Sequence, residues 1–444
     1  MKIAFRKHDQ VSIAFQLLKW TFLVLPVAMT TGVLVAFFLW ALEKCTTLRQ
    51  EHACLLYALP LAGMGIWYLY YKAGKKVAAG SNLILDAIHQ PGGGIPARMA
   101  PLVLITTLIT HLFGGSAGRE GTAVQMGGSI AQWYARWFRL TEEEVQVMLT
   151  AGMAAGFGAV FGTPVTGAVF ALEVLAIGVV RYKALMPCLI AAVVADLTCV
   201  SLGIHHTIYH IATEDPVPAL PFLHMDVLLL AKVIFSGVIF GLAGYLFSML
   251  LHGIKKYAAA YIRQPWLVPV VGGIIVIVLC WVLDTRDYIG LGVTGQYPDS
   301  VSIVNAFHAG GAGVWSWWWK IVFTAVTLGM GFKGGEVTPL FFIGATLGNG
   351  LAVMLGVPVD LLAGLGFIAV FGSAANTPLA CTLMGVELFG AHHVVYYAVA
   401  CFTAYYFSGH TGIYGSQRIG INKMATDNPS GLTLQQWLDK KNTE

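Results

Sequence analysis

The chain has 444 residues, of which 57% are apolar and only 11% charged, and its mean hydropathy is +0.72. Soluble domains carry about 25% charged residues, so this composition excludes an ordinary soluble globular protein. The net charge of +4 is modest, and no basic stripe carries interleaved aromatic residues, so nucleic-acid binding is set aside.

The apolar residues are grouped into runs, and the longest reach the roughly 20 residues with which a helix crosses a bilayer. Shorter, glycine-interrupted runs are typical of partial spans buried among other helices, where broken backbone is tolerated. In chain order the runs cover about 15–42, 54–74, 98–114, 119–137, 145–160, 163–180, 184–204, 225–251, 266–283, 314–331, 337–355, 360–374, 377–391 and 394–409. They predict an all-α integral membrane protein.

Polar stretches divide these runs into two membrane halves. A short N-terminal segment, 1–18, precedes the first half at 19–204, and a polar hinge with three prolines follows at 205–224. The second half, 225–415, ends in a short polar tail at 416–444. Basic residues near both ends favour cytoplasmic termini. The tail is too short for a folded regulatory domain, because small domains have about 50 residues or more.

Two motifs occur once in each half. They are GREGT at 118–122 with GGEVT at 334–338, and a GF, AVFG and TP series that starts at Gly156 and again at Gly366. In both halves a glutamate, Glu173 or Glu387, follows the last proline of the second motif by nine residues. Paired breaks of this kind mark a substrate site between the repeats of a transporter. Helix N-termini at such breaks favour an anion, so the pattern predicts a membrane anion pathway.

The first candidate site surrounds Glu120. Gly118 and Gly121 let the backbone turn and let an ion approach the N–H groups of this stretch, including that of Arg119. A carboxylate beside helix N-terminal amides can occupy the anion's place and leave when protonated, which would make Glu120 both gate and proton carrier. An ionisable residue inside the membrane is a functional hypothesis by default. The alternative is that Glu120 caps its own helix or pairs with Arg119.

The second candidate site is the matching stretch of the other half. Pro339 suits the first turn of a helix, and Thr338 stands where an N-cap is wanted, so the amides of Val337 and Thr338 are candidate anion donors. Glu336 is then a second ionisable group of the pore. It could equally pair with Lys333 near a vestibule, and the sequence leaves both interpretations open.

Two further residues are candidate anion donors with ordinary alternatives. The Ser81 hydroxyl can donate to an anion, although Gly-Ser-Asn is also a common helix cap. The Tyr414 hydroxyl is a single donor that a halide could accept. Otherwise Tyr414 is a tyrosine at the membrane–water interface.

The remaining polar residues indicate no second chemistry. His205, His206 and His210 have no carboxylate at ligand spacing, so no metal or cofactor is expected. The cluster from Trp315 to Lys320 is typical of an interfacial aromatic belt. We expect Glu173 and Glu387 to satisfy backbone or arginine partners within each half.

An intramembrane serine protease is the alternative from a different class. Ser116 lies in a glycine-rich stretch, and His111 is close to it in sequence. A serine nucleophile needs a base within hydrogen-bond reach. No second motif supports this interpretation, and it leaves the repeat unexplained, so no enzymatic activity is expected.

At this point the motifs resemble a known family, the CLC chloride channels and H⁺/Cl⁻ antiporters. The matching stretches, which follow the family's order and cover nearly the whole chain, are GREG at 118–121, GSNLI at 80–84 (the family's GSGIP), GEVTP at 335–339 (its GxFxP) and Tyr414 (its central tyrosine). The resemblance implies a CLC-like inverted repeat with many tilted and broken helices. It also implies a homodimer with one pore per subunit and anions bound at helix N-termini.

The resemblance also assigns roles to residues. It implies that Glu120 is the external gating glutamate and that Ser81 and Tyr414 are donors of the central anion site. The amides of Val337 and Thr338 would line the same site.

Departures from the family pattern bear on the cargo. Thr122 replaces the usual proline, and Glu336-Val337 replaces an apolar-Phe pair. Val174 stands where related antiporters have a second glutamate, the usual inner proton relay, and Glu336 is a hypothetical substitute. These departures resemble the fluoride-exporting branch of the family. That branch commonly has methionine at the position of Ser81, however, and serine is the chloride-type residue.

The expected function is transmembrane halide transport, with chloride or a similar anion exchanged for protons and Glu120 as the gate. The alternatives are a fluoride/proton antiporter and a passive voltage-gated chloride channel, which Val174 favours. The expected partners are chloride or fluoride, protons and the lipid bilayer. The expected location is the inner (plasma) membrane of a bacterium.

Overall fold

The structure, a computed structural model, describes residues 2–90, 92–212, 226–423 and 431–441. Most of the predicted hinge and part of the predicted tail lie outside the described residues. The helices of the first half are α1 (Lys2–Glu51), α2 (Leu59–Leu69), α3 (Ser81–His89), α4 (Met99–Leu112), α5 (Glu120–Trp137), α6 (Glu142–Phe161), α7 (Pro164–Glu173) and α8 (Leu185–Ser201). Those of the second half are α9 (Val227–Tyr261), α10 (Leu267–Val282), α11 (Ser316–Gly329), α12 (Val337–Leu355), α13 (Val359–Ala375), α14 (Pro378–Phe389) and α15 (Val394–Phe407).

The predicted apolar runs correspond to helices, and the prediction of an all-α membrane protein is confirmed. Within the described residues, six helical segments are long and apolar enough to cross a membrane by length and composition. Others, among them α7 and α14, have only 10 and 12 residues. They correspond to the short runs that the sequence predicted as partial spans, and both pack against several other helices.

The two ends of the chain are more ordered than their polar sequence suggests. Helix α1 continues without a break across the predicted boundary between residues 18 and 19. The tail contributes a two-residue strand, β2 (Arg418–Ile419), which pairs in parallel with β1 (Ala176–Ile177) of the first half. A short helix, α16 (Leu434–Lys441), follows, and its Leu434 is buried in one cluster with residues of both strands. The tail is therefore packed against the membrane domain.

Glycines let the central helices cross at close range in both halves. A Cβ on Gly127 of α5 would overlap the carbonyl oxygen of Gly152 in α6. In the second half, a Cβ on Gly344 of α12 would overlap the carbonyl oxygen of Gly366 in α13. Small residues at such crossings are typical of packed membrane helices. The equivalent crossings fix the positions of α5 and α12, whose N-termini meet at the centre of the protein.

The two halves also exchange equivalent contacts. The carboxylate of Glu173, at the end of α7, accepts two backbone N–H groups in the first turn of α14, at 3.1 and 2.8 Å. The carboxylate of Glu387, in α14, accepts two backbone N–H groups in the first turn of α7, at 3.0 and 2.7 Å. Reciprocal contacts of this kind relate two bodies by an approximate two-fold axis. The expected backbone partners are confirmed, but they lie in the opposite half, because each helix N-terminus faces the other repeat.

Candidate anion pathway

Glu120 begins α5 and is fully buried. Its Oε2 accepts the N–H of Thr338 at 3.1 Å and the N–H of Arg119 at 3.0 Å, while its Oε1 accepts the hydroxyl of Thr338. The Arg119 Nε atom lies 3.6 Å from Oε1, so the simple ion pair that we considered as an alternative also forms. Because Thr338 lies in the first turn of α12, a carboxylate of the first half occupies a helix N-terminus of the second half, where an anion is favoured.

A short antiparallel bridge between the two halves places Glu120. The N–H of Gly118 donates to the Gly335 carbonyl at 2.6 Å, and the N–H of Gly335 donates back to the Gly118 carbonyl at 2.8 Å. A Cβ on Gly118 would lie 2.7 Å from Oε2 of Glu120, and one on Gly121 would lie 3.1 Å from Cα of Gly335. Glycine at these positions therefore lets the two repeated motifs touch.

Glu336 is the N-cap residue of α12, and it makes no ion pair with Lys333 within the described part of the chain. The Lys333 ammonium instead lies 4.3 Å from the ring centre of Tyr70. A direct ion pair between Glu336 and Lys333 is therefore not formed, because the lysine makes a cation–π contact with Tyr70 instead. Oε2 of Glu336 lies near the site of a Cβ on Gly121, at 3.7 Å, and Val337 begins the helix as a buried residue.

Ser81 and Tyr414 belong to segments that a hydrogen bond joins. Ser81 begins α3, and its Oγ accepts a hydrogen bond from Nε2 of Gln125 at 3.3 Å. Oδ1 of the next residue, Asn82, accepts the N–H of Ser416 at 3.1 Å, two residues beyond Tyr414. Tyr414 is only 6% exposed, which contradicts the alternative of an interfacial tyrosine. Within the described residues, no hydrogen bond to its hydroxyl is present.

A small cavity of about 20 Å³ adjoins Glu120, which is enough for one water molecule or an ion of similar size. Arg119, Glu120 and Thr338 share its lining with the aromatic side chains of Phe161, Tyr209, Phe341 and Phe367. Sequence reasoning missed these aromatic residues. The signal was present in the repeated AVFG motif, because its two phenylalanines, Phe161 and Phe371, both pack on Phe341, at 5.3 and 5.4 Å between ring centres.

The departures from the family pattern have local explanations. The Thr122 hydroxyl shares a hydrogen bond of 2.7 Å with the Thr107 hydroxyl, which ties the start of α5 to α4. Val174 is buried, and the neighbouring Glu173 is already bonded to the N-terminus of α14. No carboxylate is therefore free at that place for a proton relay.

Trp315 is 64% exposed, and the aromatic belt stays a prediction for it, but the interpretation is wrong for Lys320. Lys320 is fully buried, and its ammonium donates to the carbonyls of Tyr288 and Gly290 at 3.0 and 2.9 Å. These carbonyls replace water around the charge. Among the described residues, no group of three or more His, Cys, Asp or Glu side chains is placed to hold a metal ion.

The geometry of Ser116 does not suit a protease. Its Oγ shares a hydrogen bond of 2.9 Å with the Thr324 hydroxyl, and Nε2 of His111 lies 3.4 Å from the Gly118 carbonyl. No hydrogen bond joins Ser116 to His111 in the described chain. The serine lacks the base that a nucleophile needs.

The fold and the buried carboxylate at facing helix N-termini define a multi-pass membrane protein of the anion-transport class. The family described as voltage gated chloride channel matches residues 61–409, and the chain belongs to this family. The resemblance seen in the motifs is confirmed.

Two bacterial relatives match over most of the chain. A relative from Pseudomonas syringae pv. tomato, described as a chloride/fluoride channel protein, is 45% identical over 97% of this chain and 93% of its own length. A putative ClcB-like chloride channel protein from Ralstonia nicotianae is 28% identical over 79% of this chain and 81% of its own.

Two solved structures share the fold. The crystal structure of a CLC-type fluoride/proton antiporter matches with a TM-score of 0.84 and 34% identity, covering 91% of this chain and 99% of that chain. A slow cyanobacterial Cl⁻/H⁺ antiporter matches with a TM-score of 0.71 and 20% identity over 88% of this chain and 94% of that chain.

Proposed function

We propose that this chain exchanges fluoride for protons across a membrane, with Glu120 as gate and proton carrier. The observation behind this proposal is the set of donors around the Glu120 carboxylate, which combines the N–H and the hydroxyl of Thr338. Both donors lie within hydrogen-bond distance of the carboxylate oxygens of Glu120. Fluoride, like a carboxylate oxygen, is a small and strong hydrogen-bond acceptor, whereas chloride is larger and a weaker acceptor. The Pseudomonas relative, described as a chloride/fluoride channel protein, and the 34% identical structure of a fluoride/proton antiporter both include fluoride as a cargo.

The proposed cycle depends on the protonation of Glu120. A negative carboxylate is stabilised at the N-terminus of α12, and a protonated one is held less strongly. Protonation therefore releases the side chain, and fluoride then binds the vacated donors of Thr338. When the anion leaves and the carboxylate returns, the side chain gives up its proton, so each passage of the gate couples anion and proton movement.

The other pore residues take complementary roles in this proposal. Glu336 is the second ionisable group, since it stands at the same helix start and Val174 leaves no carboxylate at the usual inner relay. Ser81 and Tyr414 are donors of the central anion site. They join the amides of Val337 and Thr338.

The residues on both sides of Glu120 form the last part of the proposed pathway. The amides of Arg119 and Gly121 line it, while Gly118, whose N–H donates to the Gly335 carbonyl, joins the two halves beside it. These residues lie at the bridge between the two repeated motifs, and the Arg119 guanidinium adds a positive charge beside the carboxylate.

Proton-coupled chloride transport is the second candidate, and Ser81 favours it. The serine is the chloride-type residue by resemblance. Its oxygen accepts from Gln125, and its hydroxyl hydrogen donates to no group among the described residues, so it can donate to chloride. A channel that moves halide without protons is the third version, since Val174 lacks the relay carboxylate.

Assembly and location belong to the same proposal. We propose a homodimer with one pore per subunit, with halves at 19–204 and 225–415 and with cytoplasmic termini. The family resemblance supports the dimer, and the bacterial relatives support the plasma membrane of a bacterium as the location.

Halide efflux from proteoliposomes tests the proposal. Fluoride and chloride efflux would be measured separately with ion-selective electrodes while the external pH is recorded. We expect fluoride efflux to be much faster than chloride efflux and to be accompanied by proton uptake. Comparable chloride and fluoride rates would favour the second candidate, and halide efflux without proton movement would make the protein a channel.

A further inference from the structure

A cavity of about 930 Å³ lies beside the pathway, at the C-terminal end of α1. The ends of α1 and α10 and the loop from residue 284 to residue 301 line it. Val293 lines both this large cavity and the small cavity next to Glu120. The two cavities therefore approach each other at Val293.

Arg49 stands out in the lining of this cavity. The residue as a whole is partly exposed, but its Nη1 atom is enclosed and has no hydrogen-bond partner among the described residues. Arg49 also makes no ion pair in the described part of the chain. Gly290, with φ of +61°, makes room for it, because a Cβ there would overlap the guanidinium. Nη1 itself is closed off, but the partly exposed remainder of the Arg49 side chain lines the cavity and carries a charge without an ion pair among the described residues, which favours an anion as its partner.

No carboxylate among the described residues pairs with Arg49, so its charge is available to a mobile anion. The carbonyls of Tyr288 and Gly290, in the same loop, accept from the buried ammonium of Lys320, which adds a second positive charge behind the loop. Three carboxylates also line the cavity, and none of them pairs with Arg49 in the described structure. Asp284 and Asp299 are exposed, while Oδ2 of Asp287 accepts the N–H of Val301 at 2.9 Å.

We propose that Arg49 forms an outer halide site that holds the anion before it passes Val293 and reaches Glu120. The inference rests on the proposed function, because it adds a waiting site to the same pathway. A fixed cation in a cleft raises the local concentration of anions and increases their rate of entry. Monovalent halides fit the proposed route better than larger anions, since the cavity beside Glu120 is water-sized.

Halide uptake at graded concentrations on the Arg49 side of the membrane tests the site. Arg49→Gln should raise the half-saturating halide concentration about tenfold, because the lost hydrogen bond involves a charged donor, while the maximal rate stays nearly unchanged. Arg49→Lys should restore most of the affinity. Arg286→Gln is the matched control, since Arg286 lines the same cavity but is exposed and donates to the Ala53 carbonyl. An equal effect of both Gln variants, or no effect of Arg49→Gln, would overturn the site.

Iodide quenching in detergent gives a readout that needs no transport. Trp281 lines the cavity and is 66% exposed, so its emission, isolated by subtracting a Trp281→Phe variant, reports the local iodide concentration. Arg49→Gln should lower the iodide quenching constant of Trp281 several-fold and leave quenching by neutral acrylamide unchanged. An unchanged iodide constant would contradict the proposal. A wild-type protein that moves no halide would sink the proposed function, and the quenching result would still decide the Arg49 site.

Discussion

Two pairs of glutamates occupy matching positions in the two halves, and they differ in how they bind helix N-termini of the opposite half. Glu173 and Glu387 each accept two backbone N–H groups at a helix N-terminus of the opposite half, and the exchange is symmetric. Glu120 also binds a helix N-terminus of the opposite half, but its counterpart Glu336 does not return the contact. The symmetric pair holds the halves together. The asymmetric pair leaves one carboxylate beside a cavity that an ion can enter.

The comparison shows that a carboxylate on helix N-terminal amides is not a gate by itself. Glu173, Glu387 and Glu120 all accept N–H groups that helix starts leave open. A gate also needs space for the side chain or the ion and a nearby charge that changes the balance. Glu120 has the small aromatic-lined cavity and the Arg119 guanidinium at 3.6 Å. If this difference matters, variants of Glu120 should lose proton coupling, whereas variants of Glu173 and Glu387 should lose stability.

The largest expected effect is that of Glu120→Gln on proton movement. The amide keeps the shape of the side chain but cannot carry a proton, so coupled proton uptake should be abolished. Halide flux should persist, because a neutral side chain is held less strongly at the N-terminus of α12. Parallel recordings from a fluoride electrode and a pH electrode on proteoliposomes would show this.

Glu387→Gln is the matched control for that experiment, because it makes the same change at another helix N-terminus. Its proton uptake per halide should equal that of the wild type. Proton movement that survives in Glu120→Gln would remove Glu120 from the role of gate and carrier.

The next effect concerns stability and tests the symmetric pair. Glu173→Gln and Glu387→Gln each replace a charged acceptor of two N–H groups by a neutral one with a single oxygen. Hydrogen bonds to charged groups contribute about 1.5–3 kcal/mol, so each variant should unfold at a clearly lower temperature in detergent. The two decreases should be of similar size, because each carboxylate accepts two backbone N–H groups, although Glu387 also accepts the Thr166 hydroxyl at 2.6 Å.

Thermal unfolding followed by tryptophan fluorescence would measure both variants against the wild type. Unequal decreases would indicate that the two contacts, although alike in geometry, are not equivalent in energy. A loss of proton coupling in either folded variant would contradict the assignment of Glu173 and Glu387 to stability alone.

The sequence predicted much of this arrangement because repeated motifs are visible without a structure. The breaks, the helix starts and Glu120 followed from glycines, prolines and acidic residues at matching positions in both halves. The partner of Glu120 did not follow, since the contact with Thr338 spans 218 residues and depends on how the halves face each other. The burial of Lys320 was missed for a similar reason. The loop carbonyls that bind it come from about 30 residues earlier in the chain.

A smaller effect is expected from the Thr338 hydroxyl that donates to Glu120. Thr338→Val keeps the backbone N–H that Glu120 accepts and removes the Oγ1 donor. The fluoride rate should fall roughly tenfold, since the lost hydrogen bond is to a charged acceptor. Thr122→Val, which removes a hydroxyl paired only with the Thr107 hydroxyl, should change the rate much less. Equal losses would indicate that both threonines act through packing of the helix starts.

The smallest expected effect is on halide choice, and it concerns Ser81. Because Oγ of Ser81 accepts from Gln125, its hydroxyl hydrogen can donate to an anion, and chloride, with fewer strong contacts elsewhere, should depend on it more than fluoride does. Ser81→Ala should therefore raise the fluoride-to-chloride rate ratio by roughly two- to fivefold, the size of one neutral hydrogen bond. Ser129→Ala, which removes a hydroxyl that donates to backbone carbonyls, is the control. An equal fall in both halide rates would assign Ser81 to the support of α3 and leave selectivity to the Glu120–Thr338 contact.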